Sequence, residues 1–366
     1  MVTTKLHPDL SDPSPRPAVS TARHCAKLAA LIVSYGNPRD IERCLNALAR
    51  SSWTDFEIFV CENAGKDAFA RLRMLLTGQD GPLEQTDDSS DTLDTPGGRL
   101  AAVLRCRFRD RAITVRLAAA TENLGYAGGV NAWLERLIGC PGWEAVLVLN
   151  PDTEVAETCL SELMTKAAEG FGMVGGSLVF DDAPDRIINY GLHWSPRTGR
   201  RIAVGGDSPV GSAPSDELLA NIDTISGACM LVTREFIDDV GLMVEDYFLY
   251  MEDLDWGRRR GQHKIGFAPG ALTRHVGGTS IGSAREPKAQ SPLSVYLTSR
   301  NSVLFSRRWA GCRWPLHFGV GLLYVIRYVL NGCPETAKVA LVGLIDGFRG
   351  KTGRPDMSAY RPIPRG

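Results

Sequence analysis

Asn150-Pro151-Asp152 closes the apolar run Ala145–Leu149, and Glu252-Asp253-Leu254-Asp255 follows Tyr247-Phe248-Leu249-Tyr250. A carboxylate at the end of a buried strand can hold a divalent cation, Mg²⁺ or Mn²⁺, against a diphosphate. Asp152 suits that role. A second carboxylate can take the proton from an attacking hydroxyl. A carboxylate beside other carboxylates binds its proton more tightly, which makes a better base near neutrality. Together the two clusters fit group transfer from a nucleotide-activated donor. Each also has a plainer reading: an Asp after a strand caps helices and turns, and acids at a helix start answer the macrodipole. Arg258, Arg259 and Arg260 stand where they could pair with the acids across one turn.

Three further features could join this chemistry. The glycine-rich stretch from Asn123 to Asn131 opens a helix, where backbone can approach a ligand closely and an anion is favoured. It does not match G-x-G-x-x-G, and tight packing is the alternative. His275, before Gly277-Gly278, could contact a diphosphate or complete a metal shell, or be a structural histidine. Arg300-Asn301 could bring a guanidinium to a phosphate; surface pairing is the bland alternative.

The elements that must position these residues read as follows. Leu28–Tyr35 is a strand broken by Gly36-Asn37-Pro38, and Ile41, Cys44, Leu45 and Leu48 recur at helical spacing, with Asp40 near the helix start. Phe56–Cys61 is a second strand, Asp67–Leu76 a second helix, and Ile113–Leu117 a third strand. A helix from about Val130 to Ile138, the strand ending at Asn150, and a helix from about Ala156 to Ala168 follow. This alternation specifies βαβ units and a parallel sheet. Between them, residues 79–99 are acidic and polar, an expected surface insertion or disordered loop. Past Phe171 the pattern changes: Met173–Phe180, Ile187–Trp194, Ile202–Val204 and Gly227–Thr233 read as strands of a mixed, acceptor-side sheet, the last followed by a helix through about Val240.

Composition sets outer bounds. Hydrophobic residues at 44% and charged residues at 23% describe an ordinary globular protein. A net charge of -1 gives no reason to expect nucleic acid. The nine cysteines contain no C-x-x-C pair, so buried thiols in a reducing compartment are expected. The Pro/Ser/Thr-rich N-terminus lacks an apolar signal core and reads as a disordered tail, which places the chain in the cytoplasm. Trp314–Ile326 and Ala337–Phe348 are apolar but fall short of the about 20 residues a spanning helix needs. With basic and Trp neighbours they suit an interfacial helix pair at the inner face of a membrane; core packing or a dimer contact are the alternatives.

In order along the chain, these stretches resemble the family 2 glycosyltransferases of GT-A fold, particularly the bacterial rhamnosyltransferase-like branch. The resemblance rests on Leu31–Tyr35, Val60–Ala64, Glu122–Asn131, Leu149–Asp152, Ser226–Leu231, Tyr247–Asp255 and Ser299–Asn301, and covers residues 28 to about 310 apart from the insertion. It implies an α/β fold with a Rossmann-like, mostly parallel central sheet flanked by helices, a mixed acceptor-side sheet and C-terminal helices. The expected division is a tail (1–26), a glycosyltransferase domain (27–285), a helical segment (286–350) and a second tail (351–366).

The resemblance also implies roles. Ser34 and Tyr35 would lie beside the nucleoside, Glu62 and Asn63 near base and ribose, and Asn123, Gly125 and Gly129 along the nucleotide cleft. Asp152 would be the last acid of the family's D-x-D signature, with Asn150 in place of the first. Asp253 would be the base, with Glu252 and Asp255 on the acceptor side, and His275 would approach the metal or diphosphate. The implied activity is inverting, metal-dependent transfer of a hexose, with dTDP-L-rhamnose the leading donor and UDP-sugars next. The acceptor would be a cell-surface glycan or a lipid-linked saccharide; an oligomer is compatible. Two rivals are a non-catalytic nucleotide-sugar or glycan-binding subunit on the same fold and, less well matched, a sugar nucleotidyltransferase.

Overall fold

The computed structural model describes residues 27–86, 92–275 and 290–358. The expected N-terminal tail, Gly277-Gly278 and the end of the expected C-terminal tail lie outside them. The chain first lays down β1 (Leu28–Ser34), α1 (Pro38–Ala49), β2 (Phe56–Glu62), α2 (Lys66–Thr77), β3 (Leu83–Gln85), β4 (Leu100–Phe108), β5 (Thr114–Ala120), α3 (Gly125–Leu137) and β6 (Ala145–Leu149). Strands β5, β2, β1 and β6 pair in parallel, in that order. Every residue of β1 and β6 is buried, as expected of strands covered on both faces. Alternation sorts their side chains: Leu28, Ala30 and Ile32 join the core under α1 and α2, while Ala29, Leu31 and Val33 join the core under α3.

The second half adds β7 (Thr153–Val155), α4 (Cys159–Ala167), β8 (Phe171–Phe180), β9 (Ala183–Ile187), β10 (Gly191–Trp194), β11 (Arg201–Val204), α5 (Asp216–Ala220), β12 (Cys229–Thr233), α6 (Arg234–Val240), α7 (Glu252–Arg258) and β13 (Lys264–His275). Strand β12 runs antiparallel to both β6 and β8, which turns the sheet from parallel to mixed beside the end of β6. Strands β10 and β11 form a separate hairpin. Three helices close the described chain: α8 (Pro292–Trp309), α9 (Trp314–Leu330) and α10 (Pro334–Phe348).

The architecture is the expected α/β one, with differences that have physical causes. The described parts of the 79–99 stretch, 79–86 and 92–99, are not simply loop: β3 pairs with β4, and Leu83 and Leu93 are buried, while 87–91 lie outside the described residues. The anchor is Arg116 on β5, fully buried, whose guanidinium meets Glu57 at 2.7 Å and Asp94 at 2.6 Å. Strand β4 escapes pattern reading because Arg105 and Arg107 interrupt it; they pair with Asp94 and Glu84 across the sheet edge. The expected strand Ile187–Trp194 is divided between β9 and β10.

Candidate active site

The carboxyl ends of β1, β2 and β6 meet one cavity of about 970 Å³. At the first two, Ser34 Oγ donates to Glu62 Oε2 at 2.6 Å, and the Gly36 and Ala64 N–H groups donate to Glu62 Oε1 at 3.0 and 2.8 Å. Charge-assisted bonds of this kind contribute about 1.5–3 kcal/mol each. Both Ser34 and Glu62 are fully buried and stand behind the wall. What they present to the cavity is Tyr35, half exposed, and Asn63.

Asn63 Nδ2 donates to the Gly125 carbonyl at 2.7 Å, and Asn123 Oδ1 accepts from the Gly125 N–H at 3.1 Å. Gly125 has φ +73°, and a Cβ there would stand 2.2 Å from the Phe248 carbonyl oxygen. The close approach that requires glycine is thus to residue 248. Gly129 is absent from the wall; a Cβ on it would press on Val33 at 2.8 Å. The glycine stretch packs α3 against β1 and the 243–251 segment, with Asn131 Nδ2 reaching Met243 O at 2.9 Å and Glu245 Oε1 at 2.7 Å.

At the end of β6, Asn150 and Asp152 line the cavity beside His275, the last residue of β13. His275 Nε2 lies 3.3 Å from Asp152 Oδ1 and 3.5 Å from Asn150 Nδ2. A carboxylate oxygen and an imidazole nitrogen are the two protein donors on offer, and no cluster of three or more exists among the described residues. Two donors fit a divalent cation whose remaining positions are taken by phosphate oxygens and water.

On the opposite part of the chain, Phe248, Tyr250 and Met251 all take positive φ, 64°, 69° and 79°. Non-glycine residues reach this region only when the surroundings enforce it. The Asn301 amide does so, with the carbonyls of Tyr247, Leu249 and Tyr250 at 2.9, 2.7 and 3.0 Å. The strained segment delivers α7 with Glu252 and Asp253 on the cavity wall. Asp253 Oδ1 accepts the Leu254 N–H at 2.8 Å and Oδ2 accepts the Gly227 N–H at 3.3 Å. Glu252 is buried, and its Oε2 has no hydrogen-bond partner among the described residues. Burial, reinforced by the Asp253 charge, pushes the Glu252 carboxyl up to about 8. The raised proton affinity expected of this acidic run therefore resides at Glu252, which holds a proton at neutral pH.

No family profile matches the chain. It is 31% identical over 252 residues to the N-acetylglucosaminyl-diphospho-decaprenol L-rhamnosyltransferase of Mycobacterium tuberculosis, spanning 63% of this chain and 77% of that protein. The chain belongs to the family 2 glycosyltransferases. This glycosyltransferase is also 25% identical over 245 residues to the low-salt glycan biosynthesis hexosyltransferase Agl10 of Haloferax volcanii, covering 64% of this chain and 76% of the relative. Its GT-A fold is shared with the solved structure of GalNAc-T7 with UDP, GalNAc and Mn²⁺, at TM-score 0.52 and 12% identity, over 87% of this chain and 55% of that one.

Besides Ser34, Glu62 and Gly129, two further residues expected at the glycosyltransferase's site lie off the cavity wall. Arg300 is 1% exposed, and its guanidinium donates to Tyr247 O at 2.9 Å, Gly353 O at 2.7 Å and Asn301 Oδ1 at 2.9 Å. One of these bonds braces the strained segment, and Arg300 is not among the residues that line the cavity, which sets it apart from the expected phosphate site. Asp255 is fully buried on the far side of α7, bound by Arg259, Arg308, Tyr247 and Trp309. Of the three arginines that follow, only Arg259 pairs with the acidic run; Arg258 goes to Asp223 at 2.9 Å, and Arg260 Nη1 donates to the Asp223 carbonyl.

Sequence reading also missed part of the wall. Tyr126 lines the cavity, donates to the Gly227 carbonyl at 2.7 Å and lies within electrostatic reach of Glu252, Asp253 and Asp152. It sits inside the quoted glycine stretch, so the signal was present. Arg201 on β11 and Arg354 to Ser358 beyond α10 also line the cavity. Nothing in their local sequence announces this, because the hairpin and the returning chain put them there.

Proposed function

We propose that this glycosyltransferase acts by inversion, moving L-rhamnose from dTDP-L-rhamnose to a hydroxyl of a lipid-linked saccharide or cell-surface glycan, with UDP-sugars the next donors in rank. The observation that carries the reading is the sharing of one cavity by Asp253 and the Asp152–His275 pair. The name of the mycobacterial relative supports rhamnose and a diphospholipid acceptor for that protein, and this chain follows it over most of its length.

Asp253 accepts the proton of the acceptor hydroxyl as that oxygen bonds to the anomeric carbon. The bond from that carbon to the diphosphate breaks on the opposite face, and its electron pair leaves with the phosphate. The Leu254 and Gly227 N–H groups hold the Asp253 carboxylate in place, and Glu252, protonated, offers a hydrogen bond from within the same wall. Asp152 and His275 would hold Mg²⁺ or Mn²⁺; such an ion neutralises charge on a departing diphosphate. Tyr35 and Asn63 would receive the nucleoside. The work would be done in the cytoplasm, at the inner membrane face.

The test is a thermal-shift panel with dTDP-, UDP- and GDP-sugars, each with Mn²⁺ or EDTA. A ligand that binds only the folded state raises apparent stability. Metal-dependent stabilisation by dTDP-L-rhamnose, followed by transfer to a GlcNAc-diphospholipid, is the expected result. Stabilisation by a different nucleotide class alone would overturn the rhamnose assignment, and transfer by Asp253→Asn near the wild-type rate would overturn the mechanism.

A further inference from the structure

Helix α9 carries the largest run of exposed aliphatic side chains in the described molecule. Leu316, Leu323, Ile326 and Leu330 are 65%, 64%, 53% and 80% exposed, with Val329 at 54% beside them. Residues 316, 319, 323, 326 and 330 recur at intervals of three and four, so they form one stripe along the helix. Only His317 of α9 is buried. Its ring meets Ser306 Oγ at 2.9 Å and the Pro196 carbonyl at 3.1 Å, which pins the opposite face to the protein. Soluble surfaces seldom leave a contiguous apolar face of this kind unpartnered.

The C-terminal half of α9 is tied at two points to segments that line the active-site cavity. Tyr328 donates to Gln290 Oε1 at 2.8 Å, next to Ser291 and Leu293 of the wall. Tyr324 lies under the Arg200 guanidinium at 5.6 Å, next to Arg201 of the wall. Val325 and Tyr328 pack in one apolar cluster with Phe248, Leu249, Leu293 and Met357, all four of them cavity-lining. A packed apolar cluster therefore joins the protein-facing side of α9 to residues of the cavity wall.

Charge decides the occupant. No Asp or Glu occurs from residue 287 to 334, while Arg313 and Arg327 flank the stripe, both exposed. A second copy of this chain would bring arginine against arginine. A surface of opposite charge would not. At 17 residues and about 1.5 Å per residue the helix is too short to cross a bilayer, and no helix among the described residues is long and apolar enough to do so. It can lie in the interface, apolar side down and arginines at headgroup level.

We propose that the Leu316–Leu330 stripe of α9 docks the enzyme on an anionic lipid bilayer and so brings the cavity wall packed against α9 close to a lipid-anchored acceptor. The choice of acceptor rests on the proposed reaction; the docking itself does not.

The full chain is sedimented with phosphatidylcholine vesicles with and without phosphatidylglycerol. Wild type is expected to partition onto the anionic vesicles and to lose most of that binding at high salt, where charges are screened. Leu323→Asp with Leu330→Asp is expected to lower partition about a hundredfold or more, the size set by losing the burial of two aliphatic side chains. Both positions are exposed, so an unchanged melting temperature is expected. Should that pair fail to fold, Arg313→Glu with Arg327→Glu gives the same reading through charge. Wild-type levels of binding in either folded variant overturn the proposal. So does a wild-type dimer that the aspartates dissociate while vesicle binding is absent. Partition is read without any sugar transfer: an active enzyme that ignores vesicles defeats the docking alone, and an inactive one that docks defeats only the proposed reaction.

Discussion

The two sides of α7 carry carboxylates two residues apart that live in opposite environments. Asp253, on the cavity side, is held by two backbone N–H groups and no cation. Asp255, on the core side, is surrounded by Arg259, Arg308, a tyrosine hydroxyl and an indole N–H. Backbone donors orient a carboxylate without neutralising it, which suits Asp253 to the proposed role of base. Cationic donors consume the charge, so Asp255 can only hold elements together. Residue type alone does not separate them; the partners do.

Removing each partner tests the contrast. Asp253→Asn is expected to lower the transfer rate about a thousandfold, within the range for losing a general base, with metal-dependent nucleotide binding and melting temperature unchanged. Asp255→Ala should do the reverse. It removes the buried carboxylate that Arg259, Arg308, Tyr247 and Trp309 share, at a cost of about 2 kcal/mol, seen as a fall in melting temperature, while enzyme that remains folded keeps its turnover.

Glu252 sharpens the contrast through pH. Its carboxyl is raised from 4.5 to about 8 by burial and the Asp253 charge. The folded form thus keeps a proton that the unfolded chain releases. That contribution to stability is complete below about 4.5 and is lost as pH rises through about 8. Glu252→Gln should remove this decline, so denaturation curves of variant and wild type diverge between pH 5 and 8, by a few kcal/mol at most. It should also remove any alkaline inflection of the transfer rate near pH 8. The smallest effect belongs to Trp309→Phe, which deletes one of the four groups on Asp255 and should cost about 1 kcal/mol with no change in rate at saturating substrate. A matched loss of rate would mean that the two sides of α7 are not independent.

The first half of the molecule was legible because its strands are continuous apolar runs and its chemistry sits at their ends. Tyr35, Asn63, Asn150 and Asp152 follow β1, β2 and β6 directly, and all line the cavity. Burial on both faces makes such strands readable. Legibility failed where polar residues serve structure. Arg300-Asn301 looks like a phosphate site in one dimension, but the Asn301 amide is taken up by the Leu249 and Tyr250 carbonyls of the positive-φ turn and Arg300 by the Tyr247 and Gly353 carbonyls. Strand β4 was hidden by arginines that pair across the sheet edge, and Arg201 and Arg354 by the long chain reversals that bring them to the wall.

The returning chain beyond α10 has an evolutionary corollary. Because Arg354 to Ser358 form part of the cavity wall, the helices before them are not an exchangeable appendage. Grafting this C-terminus onto another transferase, or trimming it at Phe348, would redraw that wall of the cavity. Cavity shape and the C-terminal helices are therefore bound to diverge together, as one inherited unit.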